Sequence, residues 1–552
     1  MARPSTTQLI DRADKLKADR SVFESHWQEI RDHILPLAAS FTGSETAGQK
    51  GRTAILDNTG ETVSEQLAAA LHGFLTNPGT EWFGLKARRE EVNDDADAKA
   101  WLEIARKRML AVFASPATRF GTQLGQVYQE LADFGTAVLY IPDRPGRLPL
   151  FNARQVRETC LLENDEGIID AVFRRWKMTA RQAVQQWGTA AGEKVATAAV
   201  GRRQDEMWEF LHVVMPREDA RPGAREARGL PVASRWINVT DKHEIREGGF
   251  HEMPFVTPRW YVRDTESYGR GPGMKALADV KTLQRAMRNQ MRGVEKLIDP
   301  PLLVADDGVL GPVRVASSSL NFVRAETLLT RSRHRPIEPL QSGARPDVGE
   351  DFMAGIRQRI ASAYYNDLLR LSRDPRMTAT QVLELVEETL RVLGPFLGRV
   401  QDELLGPLID RTFGILLRAG AFPPPPPVLE GESLTVEYES PAVKAQRLSE
   451  VRALGQLDDI FLNWGTRDPS IYDNLLGDDA YRAAAERLGV PVKLLRPIAA
   501  RDALRQRRAE ALEAERETDE MERGAAAAQS AGQAMAAVAG AAGNDDATRQ
   551  AA

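Results

Sequence analysis

Lys275-Ala-Leu-Ala-Asp-Val-Lys-Thr-Leu-Gln-Arg-Ala-Met-Arg-Asn-Gln-Met-Arg-Gly-Val-Glu-Lys-Leu-Ile298 is the stretch on which the fold turns. At about 100° per residue, Lys281, Arg285, Arg288 and Arg292 fall within an arc of roughly 60°. Val280, Leu283, Met287, Met291, Val294, Leu297 and Ile298 occupy another arc, roughly opposite. The pattern predicts a long helix with one packed face and one cationic face. Asp299-Pro300-Pro301 closes it, because proline cannot continue a helix. In front stands Gly269-Arg-Gly-Pro-Gly273. Proline there occupies a position where a phosphate loop would want a backbone N–H, so the segment reads as a rigid lead-in to the helix. Four aligned cations have two readings. They line a path for phosphates, each contact adding salt-dependent affinity without sequence preference. Alternatively they are a solvated face, or one that pairs with carboxylates of a neighbouring subunit.

Outward from this helix, residues 302 to 346 are short strand-like pieces rich in turn formers, and helix returns over about 349–371. The polar, basic stretch Ser372-Arg-Asp-Pro-Arg-Met377 interrupts it. A longer helix is predicted from Thr378 to about Leu417, opened by a capping box of Thr378 and Gln381. Gly394-Pro395 and Gly406-Pro407 inside it predict kinks or breaks. Toward the N-terminus, the first 40 residues read as helix, stopped by Pro36, with more helix at 62–75, 95–113 and 120–133. The period then changes to that of strands at 136–141, 168–177, 207–215, 234–239 and 255–262. The expected class is α+β and mostly helical. Pro423 to Pro427 is a five-proline run that predicts a stiff spacer before a C-terminal part. After one β-like stretch at 434–438, helices run to about residue 523. The Ala/Gly/Gln-rich segment 524–552 is expected to lack fixed structure until assembled.

The net charge of −5 over 552 residues argues against a general nucleic-acid coating protein. Between Gly269 and Thr380, however, 18 Lys/Arg face 12 Asp/Glu, so a basic middle of +6 sits in a remainder of −11. The single cysteine, Cys160, excludes an intramolecular disulfide framework and a multi-Cys metal site, and fits a reducing cytosol. No run approaches the roughly 20 apolar residues of a membrane span, and the N-terminus lacks the apolar core of a signal peptide. Neither a membrane anchor nor a membrane partner is expected. Phosphate-loop, nucleophile-elbow and zincin motifs do not occur. His243-Glu244 and His251-Glu252 lack helical zincin spacing, and the pairs Asp94-Asp95, Asp306-Asp307 and Asp458-Asp459 read as solvated surface. Neither an enzyme nor a cofactor or metal site is expected. The loop Arg370–Arg376 holds three arginines and no aromatic residue, which disfavours stacking of single strands.

Several stretches in order complete the reading: Trp27-Gln-Glu-Ile-Arg-Asp-His-Ile-Leu-Pro36, Asp57-Asn-Thr-Gly60, Leu71-His-Gly-Phe-Leu-Thr-Asn-Pro78 and Trp82-Phe83. They continue with Phe134-Gly-Thr-Ala137, Val172-Phe-Arg-Arg-Trp-Lys-Met-Thr-Ala-Arg-Gln182, Tyr268-Gly-Arg-Gly271 and Arg376-Met-Thr-Ala-Thr-Gln-Val382. In these the chain resembles the portal, or head-to-tail connector, family of short-tailed double-stranded DNA bacteriophages, up to about residue 420. The resemblance implies a ring of subunits, usually twelve, at one capsid vertex. It implies a wing from residues 1–268, a first stem helix at 269–299, a clip at 300–346 and a second stem helix at 347–369. A channel loop at 370–377, a long wing helix at 378–422, the spacer 423–427, a helical crown at 428–523 and a flexible tail at 524–552 would follow. The implied role is passage of double-stranded DNA, without sequence preference, during packaging and ejection. Arg370, Arg373 and Arg376, with Lys281, Arg285, Arg288 and Arg292, are the channel candidates. Arg331, Arg333 and Arg335 are the clip candidates for meeting the terminase packaging motor and later the tail adaptor. Major capsid and scaffolding proteins are the other implied partners, and the implied location is the virion, assembled in the host cytoplasm. Another phage structural protein, such as an internal core or scaffold protein, or a packaging nuclease, is the alternative. Scaffolds are typically short and almost wholly helical, and a nuclease would need a converging acidic cluster.

Overall fold

A computed structural model describes residues 3–43, 55–77, 79–93, 95–221, 223–224, 227–306, 314, 316–324, 337–339, 346–366, 393–429, 431, 434–438, 451, 453–459, 477–488, 490, 494–496 and 498–548. They fall into two compact units, Met1–Gln446 and Arg447–Ala552.

The helical start of the chain is two helices, α1 (Thr6–Asp19) and α2 (Ser21–His33), instead of one run. Ser5 opens α1 with a reciprocal capping box to Gln8. The break falls at Arg20, whose buried guanidinium donates to the carbonyl oxygens of Val156 (2.9 Å), Arg157 (2.8 Å) and Thr159. After it come α3 (Thr59–Leu75), β1 (Phe83–Ala87), the one-turn α4 (Glu90–Asn93), α5 (Ala96–Ala114) and α6 (Phe120–Phe134). Strands β2 (Val138–Tyr140) and β3 (Asn152–Arg154) form a small sheet with β9 (Phe255–Val256), in the order β3-β2-β9.

Between them lies an antiparallel sheet of β4 (Thr159–Glu163), β5 (Ile169–Thr179), β6 (Met207–Pro216), β7 (Val232–Asn238) and β8 (His243–Phe250), in sequence order. Its strands alternate two faces. Phe173, Leu211, Val213 and Ile237 pack with Leu9, Ile10 and Ala13 of α1. On the opposite face, Trp208, Phe210 and Trp236 pack with Ala180, Ala183 and Val195 of α7 (Ala180–Trp187) and α8 (Glu193–Val200). Strand β8 is absent from the sequence reading because His-Glu-Ile-Arg-Glu-Gly-Gly-Phe carries no apolar alternation.

The long basic helix is α9 (Pro272–Ile298), about 40 Å of rise. It forms an antiparallel hairpin with α10 (Pro346–Ala363). In the segment between them, β10 (Leu302–Asp306) pairs in parallel with β11 (Leu320–Arg324) and antiparallel with β12 (Ile337–Pro339). Residues 393–400 are helical and run through a π-helical turn, Gln401–Leu405, into α11 (Gly406–Arg418). The break expected at Gly406-Pro407 is thus a wide turn. Proline offers no N–H, and the Gly406 N–H reaches the Gln401 carbonyl, one residue further back than in an α-helix. The start of that helix, including the Thr378 capping box, lies outside the described residues.

The proline run does not act as a spacer at the boundary between units. The Trp101 indole of α5 donates to the Pro423 carbonyl at 2.9 Å, and Phe422 packs against Trp101. Strand β13 (Leu434–Tyr438) then pairs back with β1, Phe83 opposite Tyr438, so the first unit extends to Gln446. Phe422, before the run, packs on α5, and Leu429, after it, is buried in the main core.

The second unit contains α12 (Gly477–Arg487) and α13 (Ile498–Thr548), a 51-residue helix of about 75 Å. Asp478, near the start of α12, pairs with Arg501 (2.9 Å) and Arg505 of α13. The segment after residue 523, expected without fixed structure, continues this helix to Thr548. Alanine is the strongest helix former, and no proline interrupts the segment. No helix among the described residues is long and apolar enough to cross a membrane.

Candidate functional site at the base of a helical hairpin

Three of the stretches that carry the family resemblance, those around Trp27, Phe134–Ala137 and Tyr268–Gly271, meet where α6 ends and α9 begins. Gly135 terminates α6 in the left-handed region, φ +74°, which a side chain disfavours. A Cβ added to Gly273 would lie 2.6 Å from the Asp133 carbonyl oxygen. Only glycines let the two backbones approach this closely. The Gly269 N–H donates to the Thr136 hydroxyl at 2.8 Å, tying Phe134-Gly-Thr-Ala137 to Tyr268-Gly-Arg-Gly271. Trp27, fully buried, donates its indole N–H to the Phe134 carbonyl at 3.1 Å. Its ring stands edge-on to Tyr268 at 5.4 Å, and the Tyr268 hydroxyl accepts from the Leu161 N–H.

Asp57 joins the same assembly from the other side. Gln284 of α9, 5% exposed, accepts from the Leu56 (2.8 Å) and Asp57 (3.2 Å) N–H groups and donates to the Asp57 carbonyl. The Asp57 carboxylate accepts from the Thr59 N–H (2.9 Å) and from Arg357 of α10 (2.9 Å). These bonds hold its carboxyl below the usual range, against the opposing effect of burial. The segment before α3 is thereby clamped to both helices of the hairpin.

At the centre, Asp133 is fully buried. Its carboxylate accepts from Ser64 of α3 (2.7 Å), Gln129 (2.7 Å) and Tyr364 at the end of α10 (2.9 Å). Burial outweighs these bonds and pushes its carboxyl up to about 6. Beyond Tyr364, Tyr365 adopts φ +57°, and Asn366, buried, donates to Gln66 at 2.7 Å. The hairpin's return end is therefore fixed to α3 and α6. Sequence reasoning did not single out Asp133. An acid in the last turn of a helix opposes the helix dipole, and that local violation was the available signal.

The predicted cationic face exists. Lys281 pairs with Glu29 of α2 at 3.1 Å, both side chains about half exposed. Arg285, Arg288 and Arg292 are exposed, with no carboxylate paired to them among the described residues. The opposite face is only half packed, which corrects the expectation. Val280 and Leu283 are buried with Met353, Ile356 and Ile360 of α10, but Met291, Leu297 and Ile298 are exposed. At that far end the Ser318 hydroxyl reaches the Asp299 carboxylate, but these three apolar side chains stay exposed. There Ala286, Gln290, Gly293, Val294, Pro346 and Phe352 line a groove of about 330 Å³.

Arg370, Arg373 and Arg376, like Arg331, Arg333 and Arg335, lie outside the described residues. The carboxylates of the two His-Glu pairs are engaged by arginines: Glu244 by Arg235 (2.7 Å) and Glu252 by Arg411 (2.6 Å). Among the described residues no three His, Cys, Asp or Glu side chains gather as metal ligands would.

The chain matches the model of the "Bacteriophage head to tail connecting protein" family over residues 6–495. It is 30% identical over 550 residues to a protein of Salmonella phage epsilon15 named "Portal protein", covering 96% of this chain and 95% of that one. It is 29% identical over 504 residues to a "Probable portal protein" of Bordetella phage BPP-1, covering 89% and 88%. A chain in the virion of a native gene transfer agent particle aligns over 77% of this one and 88% of its own length, at 10% identity and a TM-score of 0.32. That structural likeness is too low to carry weight, whereas the family match spans most of the sequence. The chain belongs to the bacteriophage head-to-tail connecting protein family.

Proposed function

We propose that copies of this chain close side to side into a ring at one vertex of a double-stranded DNA phage capsid, and that the ring conducts DNA during packaging and ejection. One observation supports this above all. In a chain of the connecting family, the α9–α10 hairpin is anchored firmly at one end and leaves apolar side chains and cations uncovered at the other. Exposed apolar side chains clustered on one element mark a surface meant for a partner. A side-to-side contact repeated by rotation closes into a ring, and a circle of hairpins makes a tube. The resemblance sets the expected number at twelve.

In this reading residues 1–268 and 378–422 are the wing, and the two helices within 269–299 and 347–369 are the stem. Residues 300–346, with Arg331, Arg333 and Arg335, are the clip that meets the terminase motor and then the tail adaptor. The wing, which takes in strand β13, and a crown drawn from residues 447–523 meet the major capsid and scaffolding proteins. Arg370, Arg373 and Arg376 of the loop 370–377 approach the DNA backbone, where contacts are electrostatic and independent of sequence. The stripe Lys281, Arg285, Arg288 and Arg292 has a different role. A tube wall that gripped phosphates tightly would impede movement, so Arg285, Arg288 and Arg292 bridge to carboxylates of the next copy, while Lys281 stays paired with Glu29 of its own chain. Packaging energy comes from the separate motor, which leaves this chain a structural role in the virion after assembly in the host cytoplasm.

Light scattering of the purified full-length chain, alone and with its scaffold protein, tests the reading, together with class-averaged electron micrographs. Rings with a central hole are expected. A monomer that never forms rings, even with scaffold present, overturns it.

A further inference from the structure

Thr159, Arg174, His212, Trp236 and Arg246 lie directly opposite one another on β4, β5, β6, β7 and β8. Paired residues share a face, so they form one rung across the sheet. On β6 the rung falls between Phe210, which packs under α7 and α8, and Val214, which belongs to the main core. Apart from Trp236, which belongs to the cluster under α7 and α8, the row is polar and lies between two apolar clusters. His212 is fully buried and stacks on Trp236 at 3.7 Å. Tyr140 of β2 meets it edge-on at 5.7 Å, and the Arg154 guanidinium of β3 lies 5.9 Å from the Tyr140 ring centre.

The charges around this rung do not balance. Arg154, Arg174 and Arg246 all act electrostatically on both Tyr140 and His212. Arg411 also acts on Tyr140, but it is paired with Asp143 (2.9 Å) and Glu252 (2.6 Å). Against the three others stands one carboxylate, Glu158, which accepts from Arg174 Nε (3.1 Å) and Nη2 (3.0 Å). Among the described residues no carboxylate pairs with Arg154 or Arg246. Arg154 Nε and His212 Nδ1 are buried without a hydrogen-bond partner there. Burial, and then the neighbouring Arg174, pull the Arg154 guanidinium down to about 10. The buried Arg174 guanidinium and the unpartnered Arg154 Nε and His212 Nδ1, held out of water in this way, call for an anion with several acceptor oxygens. Arg246 is exposed, which leaves the cluster a way to solvent, while Arg174 is 8% exposed. A double helix is too wide to reach such a position, and a small anion is not.

We propose that Arg154, Arg174 and Arg246 hold one small oxyanion of the phosphate class between the two sheets, beside Tyr140 and His212. The fork geometry of guanidinium groups suits such oxygens.

Thermal unfolding of the full-length chain in sodium phosphate, and in sodium chloride of equal ionic strength and pH, tests this. Phosphate is expected to raise Tm saturably, by about 2 °C well above its dissociation constant. Arg246→Gln, at the exposed member, should remove that increment and leave Tm in chloride within about 1 °C of the wild type. Equilibrium dialysis with labelled phosphate gives a reading that does not depend on stability. Stoichiometric uptake is expected for the wild type, with little for Arg246→Gln. Identical unfolding in the two salts, or uptake that survives in both Arg154→Gln and Arg246→Gln, overturns the proposal. Displacement of the label by a short DNA duplex at equal phosphate concentration would instead assign the site to a nucleic-acid backbone and end the small-anion reading.

Discussion

In the half of the hairpin nearest the joint, Val280 and Leu283 are 1% exposed and share a core with Ile356 and Ile360 of α10, both fully buried. In the far half, Met291, Leu297 and Ile298 are 45, 46 and 80% exposed, and Phe352 of α10 is 57% exposed. The same helix, with the same apolar periodicity throughout, is completed by its own chain at one end and left open at the other. A periodic stripe states which side chains want cover. It does not state whether the cover is intramolecular. In the proposed ring the near half serves folding and the far half association, and substitutions in the two halves should separate those processes.

The largest effect on the isolated subunit is expected at the near half. Leu283→Ala removes most of a buried side chain and should cost about 2–5 kcal/mol in urea unfolding of unassembled protein. A loss below about 1 kcal/mol would mean that this half is not packed as described.

Asp133 should give the next largest effect, and one that depends on pH. Its carboxyl is raised from 3.8 to about 6, so the folded chain holds the proton more tightly than the unfolded chain. That contribution is complete below about pH 4 and is lost as the pH rises through about 6, to a total of at most about 3 kcal/mol. Asp133→Asn cannot titrate. Relative to the wild type, it should gain stability between about pH 4 and pH 7, read from urea midpoints across that range. Parallel pH curves for the two proteins would show that the Ser64–Gln129–Tyr364 cage holds Asp133 in one protonation state throughout.

Substitution at the far half should be almost silent in the subunit. Leu297→Ser with Ile298→Ser is expected to change subunit stability by no more than about 0.5 kcal/mol, as at other exposed positions. Ring formation, followed by light scattering against protein concentration, should weaken markedly because apolar area buried between copies is lost. Unchanged assembly would deny the far half its proposed role.

Much of this contrast was legible in the sequence, and the illegible part has a physical explanation. The 3.6-residue period located α5, α6 and α9 to within a few residues, and strand alternation located β5, β6 and β7. Strand β8 escaped because its residues are mostly polar, and it is held by pairing with β7 in place of an apolar face. The Asp133 cage escaped because its partners, Ser64 and Tyr364, are 69 and 231 residues away in sequence. No local pattern encodes such a contact. The proline run was misread for the same reason. Its composition says stiff, and only the distant Trp101 and β1 decide where a stiff segment rests.

The cationic stripe should show the smallest effect within a subunit and the most informative one between subunits. Arg285 and Arg288 are exposed, with no partner carboxylate among the described residues, so Arg285→Glu with Arg288→Glu should leave subunit stability within about 0.5 kcal/mol. If the stripe bridges to carboxylates of the next copy, reversal sets like charges face to face. Assembly should then fail at low salt and partly recover near ~1 M salt, where exposed charges are screened beyond about 3 Å. If the stripe touches DNA, rings should form normally while packaging and ejection change. Reversal that leaves assembly, packaging and ejection all intact would strip the stripe of any function. The remaining difference between the two halves of the hairpin would then rest on the exposed apolar residues alone.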